Sequence, residues 1–223
     1  MTEDVRDLIR TGRIGDTGLT GTAAALSAIP VLGGPLSNIM SGTATSRRFG
    51  RVDDTMGEFA QQLERLKVRV NEEYLKSEDF EEILEQTLRR ASEERLKEKR
   101  RLYAAFLAGA AVSTNPDYDR QIELLKDIET LRAVDIQVLS AFAGPPNDAS
   151  NMMMGSRRGT LTKRLSGLVD ADLSEVLKDL EARRLLQHVN NIGITVTGPA
   201  AVDLASLLTP RGRAVVGLLS SAV

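Results

Sequence analysis

A mainly α-helical fold with a small β-hairpin near the carboxyl end is what this sequence predicts, and three observations carry that prediction. Apolar residues recur three and four positions apart, as at Phe80, Ile83, Leu84 and Leu88 and again at Leu173, Val176, Leu177 and Leu180. That spacing aligns them on one face of a helix. Aromatic residues make up 4% of the chain and tryptophan is absent, so a core must be assembled from Leu, Ile, Val and Ala. Finally, helix-starting residues stand where the periodic stretches begin: Ser77 followed by Glu78 and Asp79, and Asn115 followed by Pro116. Serine and asparagine cap exposed N–H groups, acids suit the positive end of a helix, and proline fits its first position.

The 223 residues leave room for one large domain or two small ones. A change of character near residue 130 favours two: a helical domain over 1–129 and a second domain over 130–223. In the first, a short amphipathic start (Val5, Leu8, Ile9) leads into Thr17–Ser46, where no charged side chain appears across 30 residues. Pro30, Gly33, Gly34 and Pro35 interrupt that run and break any helix through it. From Arg47 to Ser113 the chain is dense in both acids and bases. Phe59, Leu63, Leu66 and Val70 predict one helix, and Ser77 opens a second that is expected to continue through ERLKEKRRLYAAFLAGAA. Glu94, Arg95, Glu98 and Lys99 read as its solvated, pair-rich face, while Tyr103, Phe106, Leu107 and Ala110 make its end apolar. A short helix with Tyr118, Ile122, Leu125 and Ile128 on one face follows Asn115-Pro116.

In the second domain, Leu131, Val134, Val138 and Phe142 predict a helix closed by Gly144-Pro145-Pro146. The loop from Ala143 to Gly159, with Met152-Met153-Met154, is long for a connection between packed helices and reads as a tether or a Met-bearing contact surface. LTKRLSGL and the Leu173 helix come next. Leu185, Leu186, His188 and Val189 suit one strand, and Ile192, Ile194 and Val196 alternate as a second. LTPRGRAVVGLL then turns into a last apolar helix.

This order, with DLSEVLKDLEARRLLQ ahead of the strands and LTPRGRAVVGLL after them, resembles the winged-helix domains of bacterial regulators over about 90 residues. The resemblance implies a third helix that enters the DNA major groove. Such a helix needs Arg, Lys, Asn, Gln or Ser aimed at base edges. Here its solvent side offers Ser174, Glu175, Lys178, Asp179, Glu181 and Ala182, a net negative set that phosphates repel. Phosphate-clamping candidates are Arg157, Arg158, Lys163 and Arg164, together with Lys178 and, near the expected wing, Arg211 and Arg213. A looser resemblance covers Ala28–Val112. There IPVLGGPLSNI, a charged helix and KEKRRLYAAFLAGA are similar to the helical abortive-infection proteins of the alpha type. That resemblance implies antiphage defence and brings no catalytic residues with it.

The uncharged run is too broken to span a bilayer. Spanning takes about 20 uninterrupted apolar residues, and Thr17–Ile29 holds only 13. It reads instead as buried core or a protein interface, with Leu26, Ile29, Val31, Leu32, Leu36, Ile39 and Met40 as contact residues. The alternatives are membrane contact after a conformational change, with Arg47, Arg48 and Arg51 facing anionic head groups, and a flexible uncharged linker.

Enzyme chemistry finds little footing. The chain has no cysteine and one histidine, His188, whose strand-like setting suggests a partly buried structural role. VLGGPLS lacks the Lys-Ser/Thr end of a phosphate-binding loop, and paired acids such as Asp53-Asp54, Glu72-Glu73 and Glu81-Glu82 point apart on a helix. No metal site, cofactor or small-molecule substrate is expected. The first 15 residues mix acids and bases, unlike a secretory leader, so a cytoplasmic protein is expected, with peripheral inner-membrane contact as the variant. The functional expectation is a non-catalytic interaction or regulatory protein that acts by assembly with itself or a protein partner, in antiphage defence, with Ala24–Met40 and the apolar end of Tyr103–Ala111 supplying the buried contacts. Its rivals are a DNA-binding regulator and a membrane-disrupting effector.

Overall fold

The computed structural model describes residues 46–66, 70–143, 154–165, 167 and 169–222. The fold is mainly helical, and its described strands form one two-stranded antiparallel sheet. Two compact units divide at Glu129 and Thr130, each with its own apolar core. The uncharged run up to Thr45 and its seven contact candidates lie outside the described residues, as do most of the loop after Ala143 and its Met152 and Met153.

In the first unit, α1 (Ser46–Leu66), α2 (Glu78–Glu93) and α3 (Lys97–Ala111) pack on one another, and α4 (Tyr118–Thr130) follows. Val52, Met56, Phe59, Ala60 and Leu63 form the buried stripe of α1. Leu66, expected on the same stripe, is 37% exposed, because α1 ends there. The Ser77 hydroxyl accepts the Phe80 N–H (3.2 Å), and Phe80, Ile83, Leu84 and Leu88 are all fully buried. Arg51 of α1 donates to the carbonyls of Ser92 and Glu93 at the end of α2 (3.0 and 3.1 Å), where a cation answers orphaned acceptors. Ion pairs Arg100–Asp54 (3.3 Å) and Arg101–Glu58 (3.2 Å) join α3 to α1. Tyr74 ties the preceding turn to this core by an edge contact with Phe80 and a hydrogen bond to Gln121.

Three expectations for this unit are corrected. The helix from Ser77 does not run through to Ala111, since Glu94 and Leu96 adopt extended backbone (ψ 127° and 120°). The Glu94 carboxylate accepts the Leu96 N–H (2.9 Å), which holds the extended link between α2 and α3. Nor is the face of Glu94, Arg95, Glu98 and Lys99 solvated throughout: Arg95 and Glu98 are exposed, but Glu94 is half-buried. Lys99 is buried, with its ammonium 3.1 Å from Glu94 and donating to the Glu129 carbonyl at 2.7 Å. And α4 starts later than the Asn-Pro pair suggests: Asp117 accepts the Arg120 N–H (3.1 Å), the reach of a cap residue three positions on.

The second unit contains α5 (Ala133–Ala143), β1 (Met154–Gly155), α6 (Arg157–Arg164), α7 (Asp170–Ala182), β2 (Val196–Thr197), α8 (Gly198–Val202) and α9 (Pro210–Ser221). Its core is built from Val138, Leu139 and Phe142 of α5, Leu161 of α6, Leu173, Val176, Leu177 and Leu180 of α7, and Val215 and Leu219 of α9. α5 packs on α7 and α9, and α8 on α6.

The expected hairpin is replaced by two separate short pairings. Val196 does not pair with the Leu185–Val189 stretch: β2 joins β1, Met154 opposite Thr197 and Gly155 opposite Val196. Leu186 bridges Leu208 instead, flanked by hydrogen bonds from Gln187 N–H to the Leu207 carbonyl (2.8 Å) and Thr209 N–H to the Leu185 carbonyl (3.1 Å). His188 stops the first stretch. It is left-handed (φ 58°) and exposed, not partly buried, and a 3₁₀ turn over Val189–Asn191 follows it.

Candidate functional site

The second unit holds all the residues singled out for nucleic-acid contact. α6 opens where the Ser156 hydroxyl accepts the Gly159 N–H (3.1 Å), which sets Arg157 and Arg158 in its first turn and Lys163 and Arg164 in its last. Four of the five arginine candidates hold acceptors of their own unit. Arg157 donates to the Asp203 carbonyl (3.1 Å), Arg158 to the Ser174 hydroxyl (2.6 Å), Arg164 to the Ala141 carbonyl (2.6 Å) and Arg213 to the Leu208 carbonyl (2.8 Å). Arg211 is half-buried and also engaged. Lys163 and Lys178 are exposed, and neither bonds to another described side chain or carbonyl.

These contacts do structural work at defined places. Arg158 links α6 to α7, Arg164 links α6 to α5, and Arg157 reaches the residue that ends α8. Guanidinium groups suit that role because their forked donors reach carbonyls at fixed angles. The exposed side of α7 carries Asp172, Glu175 and Lys178, with Asp179 half-buried beside them. The structure thus brings Arg158 against α7 through Ser174, with Arg157, Lys163 and Arg164 on α6 and the remaining candidates on α7 and α9.

An arrangement that pattern reading missed lies at the other end of α7. Asp135, in the first turn of α5, is fully buried. Its carboxylate accepts the Arg132 N–H (2.8 Å), the Arg132 guanidinium (3.0 and 3.2 Å) and the Arg183 guanidinium (3.1 Å). Arg132 also reaches Asp179 (2.9 Å), and Arg183 the Thr130 carbonyl (3.1 Å). Burial pushes the Asp135 carboxyl up, but the Arg132 hydrogen bonds and the Arg183 and Arg132 charges outweigh it and hold the group below its ordinary value. The Arg132–Asp135 spacing of three was the available sequence signal; nothing in the order of residues pointed to Arg183.

The LTPRGR stretch acquires a local explanation. The Thr209 hydroxyl accepts the Gly212 N–H (3.0 Å) and donates to the Arg184 carbonyl (2.6 Å). It therefore caps α9 while holding the turn after α7, and Pro210 occupies the first helical position. A Cβ on Gly212 would lie 2.0 Å from the Leu185 carbonyl oxygen, so only glycine lets these two backbones approach.

Depressions lie in both units. One, of about 320 Å³, lies in the second unit among Phe142, Arg164, Pro199, Val202 and Leu204. Another, of about 580 Å³, lies in the first unit along the charged side of α2, between Glu82 and Glu93, with Glu129 at its edge. Its cations are paired, Arg89 with Glu85 and Arg90 with Glu129. Among the described residues no group of three or more acids and histidines is placed to hold a metal, and no helix is long and apolar enough to cross a membrane. The apolar end of α3, expected to supply an assembly surface, is buried within the chain: Tyr103, Phe106, Leu107 and Ala110 are each at most 5% exposed. The chain matches no protein-family model, no curated protein and no solved structure.

Proposed function

We propose that this chain is a non-catalytic regulatory protein that acts through protein contacts, and that its second unit is a winged-helix-like module adapted to that use. One observation carries the reading: the arginines that a DNA-binding module would aim at phosphates are engaged with acceptors of their own unit, beside a helix whose exposed side is acidic. Phosphate neutralisation supplies most of the affinity of DNA readers, and an acidic α7 opposes it. The helix–strand–helix–helix order from α5 to α7, the Leu186–Leu208 bridge and the Thr209 cap support the winged-helix-like reading of the fold. Antiphage defence in a bacterial cytoplasm is the proposed setting, and the resemblance of the Ala28–Val112 sequence to alpha-type abortive-infection proteins is what supports it.

Anisotropy of labelled duplexes at low salt tests the module directly. No binding is expected, and Lys163→Glu with Lys178→Glu should change nothing. These two lysines are the fold-neutral choice, because reversing Arg157, Arg158 or Arg164 would also remove structural hydrogen bonds. Salt-sensitive binding abolished by the lysine pair would instead establish the DNA-binding regulator. The defence role is tested by phage challenge of a host expressing the chain, where unchanged plaque counts across diverse phages would remove it.

A further inference from the structure

We draw no further inference here: the strongest candidate, the half-open groove of the second unit between Phe142, Arg164 and the α8 residues Pro199 and Val202, carries nothing because its arginine is already bound to the Ala141 carbonyl and nothing in the structure shows what covers its apolar wall.

Discussion

Gly212 shows how one position can be readable as a motif yet unexplained by it. The LTPRGR order is visible in the sequence, and so is a threonine cap followed by proline. What demands glycine is the Leu185 carbonyl, 27 positions earlier in the chain, and only the folded chain brings it to 2.0 Å from the missing Cβ. Gly212→Ala is therefore expected to cost at least about 3 kcal/mol, at or beyond the usual upper range for overpacking, read as a lower urea midpoint. Thr209→Ala should cost about 1–2 kcal/mol through the lost cap. Asp135 makes a pH-dependent prediction. Its folded pKa lies below the ordinary 3.8, so its stabilisation is fully present above that value and is lost as pH falls through it toward the folded pKa. Asp135→Asn should cost about 3 kcal/mol at neutral pH, the low end for a buried pair because both arginines keep contact with water. The variant should also lose part of the acid-induced destabilisation below about pH 5. An unchanged acid slope in the variant would show that the carboxylate is not the titrating group.

At the scale of elements, regular periodicity was legible and its interruptions were not. The stripes of α1, α2 and α7 follow from spacing alone, since burial of one helix face requires it. The break between α2 and α3 did not, because Glu94, Arg95 and Leu96 are ordinary helix formers. It is set by side-chain contacts: the Glu94 carboxylate takes the Leu96 N–H locally, and buried Lys99 joins Glu94 to the distant Glu129 carbonyl. Lys99→Met should cost about 2 kcal/mol by orphaning both acceptors. Combined with Glu94→Ala, the loss should be less than the sum of the single losses, since the two side chains act on one another. Strict additivity in chemical denaturation would refute the coupling. Strand prediction failed for a related reason. Strands of two residues pair on backbone groups about 40 positions apart, Gly155 with Val196, and side-chain alternation at Ile192, Ile194 and Val196 does not specify that partner. A left-handed His188 has no signature in the order of residues.

For the whole molecule, the class of fold was legible from low aromatic content and repeated helical stripes, whereas the identity of any contact surface was not. Charge counting marked Arg157, Arg158 and Arg164 as phosphate-clamping candidates, but the order of residues does not reveal that each also fastens α6 to a neighbouring part of its own unit. The apolar end of α3 likewise looked available for assembly and is core. The proposed assembly therefore needs contacts other than the buried end of α3. Sedimentation velocity of the full chain over a rising concentration series, with and without a labelled duplex at low salt, tests this most directly. The expected result is a mass that grows with protein concentration and a duplex that sediments alone; a chain that stays monomeric and carries the duplex with it would contradict the account.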